Sequence, residues 1–386
     1  MSPIFLRLYM YQIVSSRVNI FFIVLFSIYS LSSAQWSFKL STDQEYNDNP
    51  FRTQLATKTF LSSIDFGLEN DLGDISLGYY GSYLNFDVVP LRNFYWHQLA
   101  AWKNFETSAL GIYAEQRLNK DIYTYYNYYN VTAYYRQQFS WNEFYFTLSP
   151  NLSLTKYENI GIMDNYKANL SLNINRGFES GTTLIFGGSL NFKKYLNPIQ
   201  SGTYTYLDEN NVLITDTYID KNVSSITQFV PFGRVAQSIT PTTGLAVQFT
   251  NRSILNGFGA FVKDLNMIYG DESEMFDDPV NYEGNNLSFE LTQIFFDDLE
   301  FKAGFYLNQK HYPSQGIYDA LYNYDTGIMR SDTQNIFNLS IKKSIPLGSN
   351  TNLSLGLGYQ TINNKSNSIP FNYINNSISL NLGFEF

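Results

Sequence analysis

The chain has 386 residues, a net charge of −9, no cysteine and 18% aromatic residues. Such an acidic chain argues against a nucleic-acid partner held by a basic surface, and without cysteine it has no disulfides and no lipoprotein-type lipid anchor. Beyond the N-terminus no apolar run approaches the roughly 20 residues that a membrane-spanning helix needs, which argues against a helical membrane protein.

Residues 1–34 have the pattern of a secretory signal peptide. Arg7 and Arg17 precede the apolar run 20–31, and small residues lead up to Ala34. A basic region, a short apolar region and small residues before the cleavage point are the three parts of such a peptide. We therefore predict cleavage after Ala34 and export of the mature chain. The alternative is an uncleaved anchor helix, although the apolar run is short for spanning a bilayer.

From residue 35 onward, apolar and polar residues alternate with a period of two, which is typical of half-buried β-strands. The predicted strands are 36–44, 54–69, 72–86, 94–104, 107–117, 128–139, 142–157, 166–178, 181–195, 223–238, 242–253, 285–296, 299–311, 332–345, 350–360 and 374–386. Strand 94–104 alternates poorly and 223–238 can be phased either way, so fourteen strands are the alternative to sixteen. Pro150 and Pro231 predict bulges or strand ends, because proline lacks the amide donor of a ladder.

Long and short connectors alternate strictly between these strands. The segment 45–53 is long, the next connector is the tight turn 70–71, and the alternation continues to the long segment 361–373. Outer-membrane barrels combine short turns on one side, long loops on the other and an even strand number. Only a closed barrel satisfies β-backbone groups in hydrocarbon. The sequence therefore predicts an all-β fold, in which a single domain, 35–386, forms a transmembrane antiparallel up-and-down β-barrel.

The last predicted strand carries the most specific motif. In the segment NSISLNLGFEF, one face is formed by Ile378, Leu380, Leu382, Phe384 and Phe386. This segment resembles the terminal strand of bacterial outer-membrane β-barrel proteins, a broad, porin-like class. The resemblance implies that the barrel-insertion machinery reads this strand. It also implies an outer-membrane location, with membrane lipid and lipopolysaccharide as neighbours.

If the apolar faces contact lipid, the opposite faces line the interior. The charged pore-lining candidates are Lys39, Asp65, Glu115, Arg117, Arg136, Lys167, Lys193, Arg252, Glu290, Glu300, Lys302, Lys310 and Lys342. Basic residues outnumber acidic ones in this set, which favours anionic solutes if the pore is open. The alternative is that these charges pair across the barrel and fill it.

Two further features admit several interpretations. The loop 254–284 carries seven acidic residues and one lysine, which is compatible with a solvated loop, a hard-cation site or a constriction folded into the barrel. Tyr123, Tyr125, Tyr126, Tyr128 and Tyr129, and the indoles of Trp96, Trp102 and Trp141, are expected to anchor the barrel at the membrane interface. A carbohydrate-stacking surface is the alternative.

Nothing in the sequence favours an enzyme. His97 and His311 are the only imidazole bases, and clusters of metal ligands and phosphate-binding glycine loops are absent. We predict no catalytic residue, no metal and no cofactor. Two functions remain, a porin-like channel for small hydrophilic solutes and a plugged structural barrel that serves a secretion or surface-assembly system. A homo-oligomer is compatible with either.

Overall fold

The barrel is described here from a computed structural model of the chain. The described residues are 36–197, 199–207, 213–222, 225–261, 277–296, 298–320, 323–348 and 350–386, with the backbone alone for 199–222 and for Thr326. The predicted signal peptide, residues 1–34, and the acidic-loop residues 262–276 lie outside this part. Among the described residues, no helix is long and apolar enough to cross a membrane.

Sixteen of the strands in the described part form one closed antiparallel barrel, which confirms the predicted fold and the higher of the two predicted strand numbers. They are β1 (Trp36–Asn47), β2 (Thr59–Asp71), β3 (Ser76–Phe86), β4 (Phe94–Asn104), β5 (Ser108–Asn119), β6 (Tyr128–Trp141), β7 (Phe144–Tyr157), β8 (Asn165–Gly177), β9 (Thr182–Tyr195), β12 (Ser225–Thr240), β13 (Thr243–Gly257), β14 (Glu283–Phe295), β15 (Leu299–Tyr318), β16 (Tyr324–Pro346), β17 (Asn352–Ser366) and β18 (Tyr373–Glu385). The strands β10 (Ile199–Leu207) and β11 (Leu213–Asn222) pair with each other as a separate hairpin.

Short 3-10 helices stand in the long loops at one end of the barrel. They are Pro90–Arg92, Asp121–Tyr126, Gly161–Met163, Pro279–Asn281 and Ile369–Phe371. We call this end the long-loop end and the other the short-turn end. The first strand, β1, begins at the short-turn end and the last strand, β18, ends there, as an even strand number requires.

The period-two pattern places bulky apolar side chains on the outside of the barrel. On β18, Ile378 and Leu380 are 52% and 54% exposed, and Leu152 on β7 is 64% exposed. An apolar surface of this extent, repeated on every side of the barrel, is far larger than water-soluble monomers show. It matches the outward apolar band that membrane barrels present to acyl chains.

The first and last strands close the ring. Lys39 on β1 pairs in the ladder with Glu385 on β18. Beyond this pair, the Phe38 amide donates to the Phe386 carbonyl oxygen at 2.7 Å and the Phe386 amide donates to the Phe38 carbonyl oxygen at 3.0 Å. The two phenyl rings also contact each other, with centroids 5.0 Å apart. The aromatic C-terminal strand singled out in the sequence thus completes the barrel.

Two segments predicted as loops are strands. The hairpin β10–β11 lies within the predicted loop 196–222, and β15 and β16 extend to Tyr318 and back from Tyr324 through the predicted loop 312–331. A strand that rises beyond the membrane has no hydrocarbon on its outer face, so its sequence needs no apolar alternation. The apolar period therefore marks where strands are in lipid and misses where they continue past it.

The two strand prolines are accommodated without a bulge or a strand end. Pro150 pairs with Leu170 on one side and Pro231 pairs with Gly188 on one side. On the other side of each strand two ladder pairs are missing, while the register is the same before and after the gap. The missing amide donor of each proline thus interrupts the ladder on one side over two pairs, and the expected bulge is not formed at the proline.

We predict that a charge on the outer face of β7 is far more damaging than one on its inner face. Leu152 points outward at mid-strand, whereas Ser153 lines the interior. Leu152→Arg should lower the free energy of unfolding by about 2–4 kcal/mol, as arginine does near the bilayer midplane. The matched variant Ser153→Arg should change it by less. Urea titration of both variants refolded into phospholipid vesicles measures the difference, and equal losses would contradict the assignment of faces.

Candidate functional site: the charged lumen

Two cavities inside the barrel identify which face of each strand looks inward. One, of about 700 Å³, is lined by residues of β5 to β9, β12 and β13, among them Glu115, Asn130, Ser153, Lys167, Asn191 and Arg252. The other, of about 520 Å³, is lined by residues of β1 to β6, among them Asp43, Glu45, Asp65, Ser82, Trp96 and Arg117. Because side chains alternate between faces along a strand, these residues fix the inward set for the neighbouring positions as well.

All thirteen charged residues suggested by the sequence occupy inward positions. Residues that pair directly across two strands point to the same face of the sheet. The pairs Lys167 with Lys193, Glu300 with Lys342 and Lys302 with Thr292 therefore face the lumen together. Some lie far down the barrel and others near the long-loop end, so the structure does not bring them into one cluster. Their role in conduction stays a prediction.

Charge pairing in the lumen is mostly local. Lys39 Nζ lies 3.4 Å from carboxylate oxygens of both Glu69 and Glu385, and Lys302 Nζ lies 2.9 Å from Glu300 Oε1. Arg234, which the sequence reading did not single out, lies 2.7 Å from Glu290. These partners stand on the same or nearby strands. These charges therefore pair with close neighbours on the wall.

One wall of the lumen is acidic. Asp43 and Glu45 on β1 and Asp65 on β2 face the smaller cavity. Hydroxyl groups fix the Asp65 carboxylate, since Ser82 Oγ donates to it at 2.6 Å and Ser63 Oγ at 3.1 Å. Such short charge-assisted hydrogen bonds hold the carboxylate in one orientation.

The wall on the other side of the ring is basic. Lys167 on β8 and Arg252 on β13 face the larger cavity. In strand order, β8 is six steps from β2 in one direction and β13 is six steps from β1 in the other. Glu115 and Asp278 also line the larger cavity and Arg117 the smaller one, so the two walls differ in which sign of charge is grouped on them.

Rows of amide side chains run around the inner wall between the charges. Asn151 Nδ2 donates to Asn169 Oδ1 at 3.2 Å, and Asn169 Nδ2 donates to Asn191 Oδ1 at 2.6 Å. A second row connects Asn286, Asn308 and Gln334 on β14 to β16. Asparagine and glutamine carry no charge, so these rows are not among the residues predicted to line the pore. Their signal was present as one Asn or Gln at matching height in successive strands.

The end of the long acidic loop folds into the barrel. Residues 277–282, which we call the inner segment, are held by buried contacts to three strands. Lys193 Nζ lies 2.6 Å from Asp278 Oδ2, with both side chains almost fully buried, and Lys310 pairs with Asp277. Gln228 Nε2 donates to the carbonyl oxygens of Pro279 and Tyr282, each at 2.8 Å. Of the three alternatives given for this loop, the inner segment matches a constriction folded into the barrel, since Asp278, Pro279 and Val280 line the larger cavity.

Charge complementarity keeps Asp277 ionised. Burial alone would raise the pKa of this carboxyl, but the cationic side chains of Lys310 and Arg330 outweigh it and lower the pKa to about 2. The phenol of Tyr312 also donates a hydrogen bond to the carboxylate. The ion pairs of Asp277 with Lys310 and of Asp278 with Lys193 thus latch the inner segment to the lumen wall.

Two glycines let the chain turn into the lumen at both ends of this loop. Gly257 ends β13 with φ +84°, and a Cβ there would lie 1.9 Å from the Ser225 carbonyl oxygen. Gly284 near the start of β14 has φ +147°, and a Cβ there would lie 1.8 Å from the Gln309 carbonyl oxygen. Any larger residue would collide with the neighbouring strand at both positions.

The expected interfacial role is wrong for several of the aromatic residues. Tyr123 and Tyr126 are buried in a cluster at the long-loop end, where the Arg92 guanidinium lies 4.9 Å and 4.3 Å from their ring centroids. Tyr128, Trp96 and Trp102 occupy inward positions on β6 and β4. Loops that fold inward need apolar and cation–π contacts of their own. Tyr125, Tyr129 and Trp141 are exposed.

The two histidines do not form an active-site arrangement. Both stand at outward positions, and the Tyr79 hydroxyl lies 2.8 Å from His97 Nδ1. His311 pairs in the ladder with Glu283. In the described part of the chain, no group of three or more His, Cys, Asp or Glu residues is placed to hold a metal ion.

Comparison with known proteins gives a fold and no family. No protein-family profile and no curated protein sequence matches the chain. Among solved structures, it is similar to Acinetobacter baumannii OccAB2, with a TM-score of 0.51 and 11% identity over 91% of this chain and 98% of that one. OccAB1 of the same organism gives 0.50 and 10%, over 92% and 97%.

A bacterial polysaccharide outer membrane secretin also matches, at a TM-score of 0.46 and 7% identity over 91% of this chain and 98% of that one. Identities this low bear on architecture alone. The closed sixteen-strand ring, the apolar exterior and the polar interior are consistent with this shared architecture. The chain therefore has the fold of the porin-like bacterial outer-membrane β-barrel proteins.

Proposed function

We propose that this protein is an outer-membrane channel for small hydrophilic solutes, narrowed by the inner segment 277–282. The observation that carries the proposal is the polar lumen with its acidic wall on β1 and β2 and its basic wall on β8 and β13. A sixteen-strand barrel is wide enough for an aqueous path. Solutes on this path pass between the two walls, so charge and dipole decide how easily they pass.

An outer-membrane location is part of the proposal. The apolar exterior requires a bilayer, and the similar folds belong to porin-like proteins and a secretin of bacterial outer membranes. The predicted signal peptide, 1–34, would supply the export that such a location needs. Cleavage after Ala34 is measured by N-terminal sequencing of the membrane-extracted protein.

The second candidate is the plugged structural barrel. Inward-folded loops favour it, because an apolar cluster that includes Tyr126, Met163, Tyr195 and Tyr373 packs at the long-loop end. A structural barrel has no need of opposed charged walls, however, or of cavities totalling more than a thousand cubic ångströms below that cluster. The lumen charges therefore favour the channel.

Planar-bilayer recording of the refolded full-length protein separates the two candidates. The channel should give stepwise openings with a linear current–voltage relation in symmetrical KCl. A barrel sealed by its loops should insert without such steps, and insertion itself is checked by heat-modifiable gel mobility. Silence of a correctly inserted barrel would rule out the channel.

We predict that the two walls shift ion selectivity in opposite directions. Asp43→Asn with Asp65→Asn should raise the anion-to-cation permeability ratio, and Lys167→Gln with Arg252→Gln should lower it. Each shift should be roughly two- to fivefold, since a single charge beside an aqueous path contributes on the order of 1 kcal/mol or less. Reversal potentials in a KCl gradient measure the ratio.

The matched control for both wall variants is Glu300→Gln with Lys302→Gln. These residues pair with each other near the short-turn end, and the double change removes one charge of each sign. The control should leave the permeability ratio unchanged. Shifts of the two wall variants in the same direction would contradict the assignment of opposed walls.

We predict that Asp277→Asn with Asp278→Asn releases the inner segment. The change leaves Lys193 and Lys310 buried without their counterions, a loss that costs about 3–5 kcal/mol for a buried pair. Conductance should rise and become noisier, and thermal stability should fall. The control is Glu143→Gln with Glu300→Gln. It removes two carboxylates near the short-turn end, where Glu143 pairs with Arg176 and Glu300 pairs with Lys302.

The same latch sets the pH dependence of the wild-type channel. A carboxyl with a lowered pKa stabilises the folded form above its unfolded pKa near 4, and this contribution is lost as pH falls through the folded value. Because the pKa of Asp277 is about 2, the latch should hold from pH 8 to about 4 and weaken progressively as the pH falls from about 4 to about 2. A conductance increase already between pH 6 and 4 would contradict control by Asp277.

A further inference from the structure

A row of alternating tyrosines and lysines runs around one side of the barrel exterior, at the long-loop end. We call it the Tyr/Lys arc. In order from β4 to β9, it consists of Tyr95, Lys120, Tyr129, Lys156, Tyr166 and Lys194. No sequence pattern revealed it, because its members come from different strands and a loop, and only the closed ring places them side by side.

Every member of the arc faces outward. The neighbouring residues Trp96, Tyr128 and Lys167 face the lumen, and alternation turns the arc residues to the other side. Tyr95, Tyr129 and Tyr166 are 38%, 48% and 50% exposed, and the three lysines are exposed as well.

The members of the arc form three pairs of neighbours. Tyr129 pairs with Lys156 across β6 and β7, and Tyr166 pairs with Lys194 across β8 and β9. Lys120 Nζ lies 5.8 Å from the Tyr95 ring centroid. Each ammonium group of the arc thus has a phenol beside it.

The lysines of the arc lack carboxylate partners within the described residues. The exposed Glu158, two residues after Lys156, accepts hydrogen bonds from Asn127 Nδ2 at 2.9 Å and from the Tyr129 hydroxyl at 3.4 Å. Asp121 follows Lys120 and is exposed. The arc therefore keeps a net positive charge although the chain as a whole carries −9.

The position of the arc tells what kind of anion it meets. Directly below it, on the same strands, the outer face is mostly apolar, with Leu99, Ile112, Val131, Leu152, Leu170 and Leu190 all 43–64% exposed and only the paired His97 and Gln116 polar between them on β4 and β5. Lysines and tyrosines immediately above an apolar band stand at the depth of lipid headgroups. A soluble anion could meet these lysines from the side of the loops, but only a lipid would cover both the charges and the apolar surface beneath them.

The three lysines of the arc lie on one side of the barrel, on β7, on β9 and in the loop after β5. On the strands β14 to β17, the outward charged groups described at this height are Glu283 and Lys365, with His311 beside Glu283. Glu283 and Lys365 carry opposite charges, whereas the three lysines of the arc carry charges of the same sign. An anionic headgroup would therefore be attracted to the side formed by β4 to β9.

We propose that the Tyr/Lys arc binds the phosphorylated headgroups of outer-leaflet glycolipid, with the acyl chains on the apolar face below. The lysine ammonium groups pair with headgroup phosphates, and the tyrosine hydroxyls donate hydrogen bonds to phosphate or sugar oxygens. The proposal rests on the outer-membrane location and does not depend on whether the lumen conducts.

The test is the affinity of the full-length barrel, held in phosphatidylcholine nanodiscs, for added lipid A. The triple variant K120Q/K156Q/K194Q should bind lipid A on the order of 100-fold more weakly, because each lysine near an anionic headgroup contributes about fivefold. The matched control K103Q/K343Q/K365Q removes three outward lysines elsewhere. Lys103 and Lys343 lie near the short-turn end, and Lys365 lies on β17 at the long-loop end, outside the arc. It should keep wild-type affinity.

Two further arms identify the ligand group and its source. Dephosphorylated lipid A should bind wild type as weakly as lipid A binds the arc variant. Inorganic phosphate at millimolar concentration should not displace bound lipid A. Equal loss in the two triple variants, full binding of the dephosphorylated lipid, or displacement by free phosphate would each overturn the proposal. Single-channel recording of the arc variant separates this outcome from a failure of the channel proposal.

Discussion

The constraint on which this structure depends is that every backbone amide and carbonyl in hydrocarbon needs a partner within the protein. A sheet meets this condition only when its first and last strands pair, and here Phe38 and Phe386 complete that pairing. Closure then divides each strand into a face toward lipid and a face toward the interior. The outward leucines, the inward charges and the paired termini are consequences of the same closed ladder.

A ring of sixteen strands creates a second problem, because its interior is too wide for wall side chains to fill. The chain answers with its loops. The inner segment 277–282 enters between two glycines that tolerate close backbone contact and is fixed by Asp277 and Asp278 against lysines of the wall. Buried lysines on a lumen face are costly when alone, so wall and loop depend on each other.

The sequence predicted the architecture well because lipid imposes a local rule. Alternation such as that around Leu380 is visible within ten residues, and it gave the strand number and the inward positions of Lys167 and Arg252. Contacts between distant segments leave no such trace. Asp277 was recognised only as one acid in an acidic loop, Tyr126 was assigned to the interface although it packs under Arg92, and the strand ends beyond the membrane lost the apolar period.

The distribution of lysines links the two surfaces of the barrel. On β8 and β9, Lys167 and Lys193 face inward, while Lys194, one residue further along the chain, faces outward. One residue of sequence thus separates Lys193, which pairs with Asp278 of the inner segment, from Lys194, which is exposed on the outer surface. A one-residue slip of β9 would exchange these environments and place Lys193 against the membrane. The ladder register, set by ring closure, therefore determines the chemistry of both faces at once.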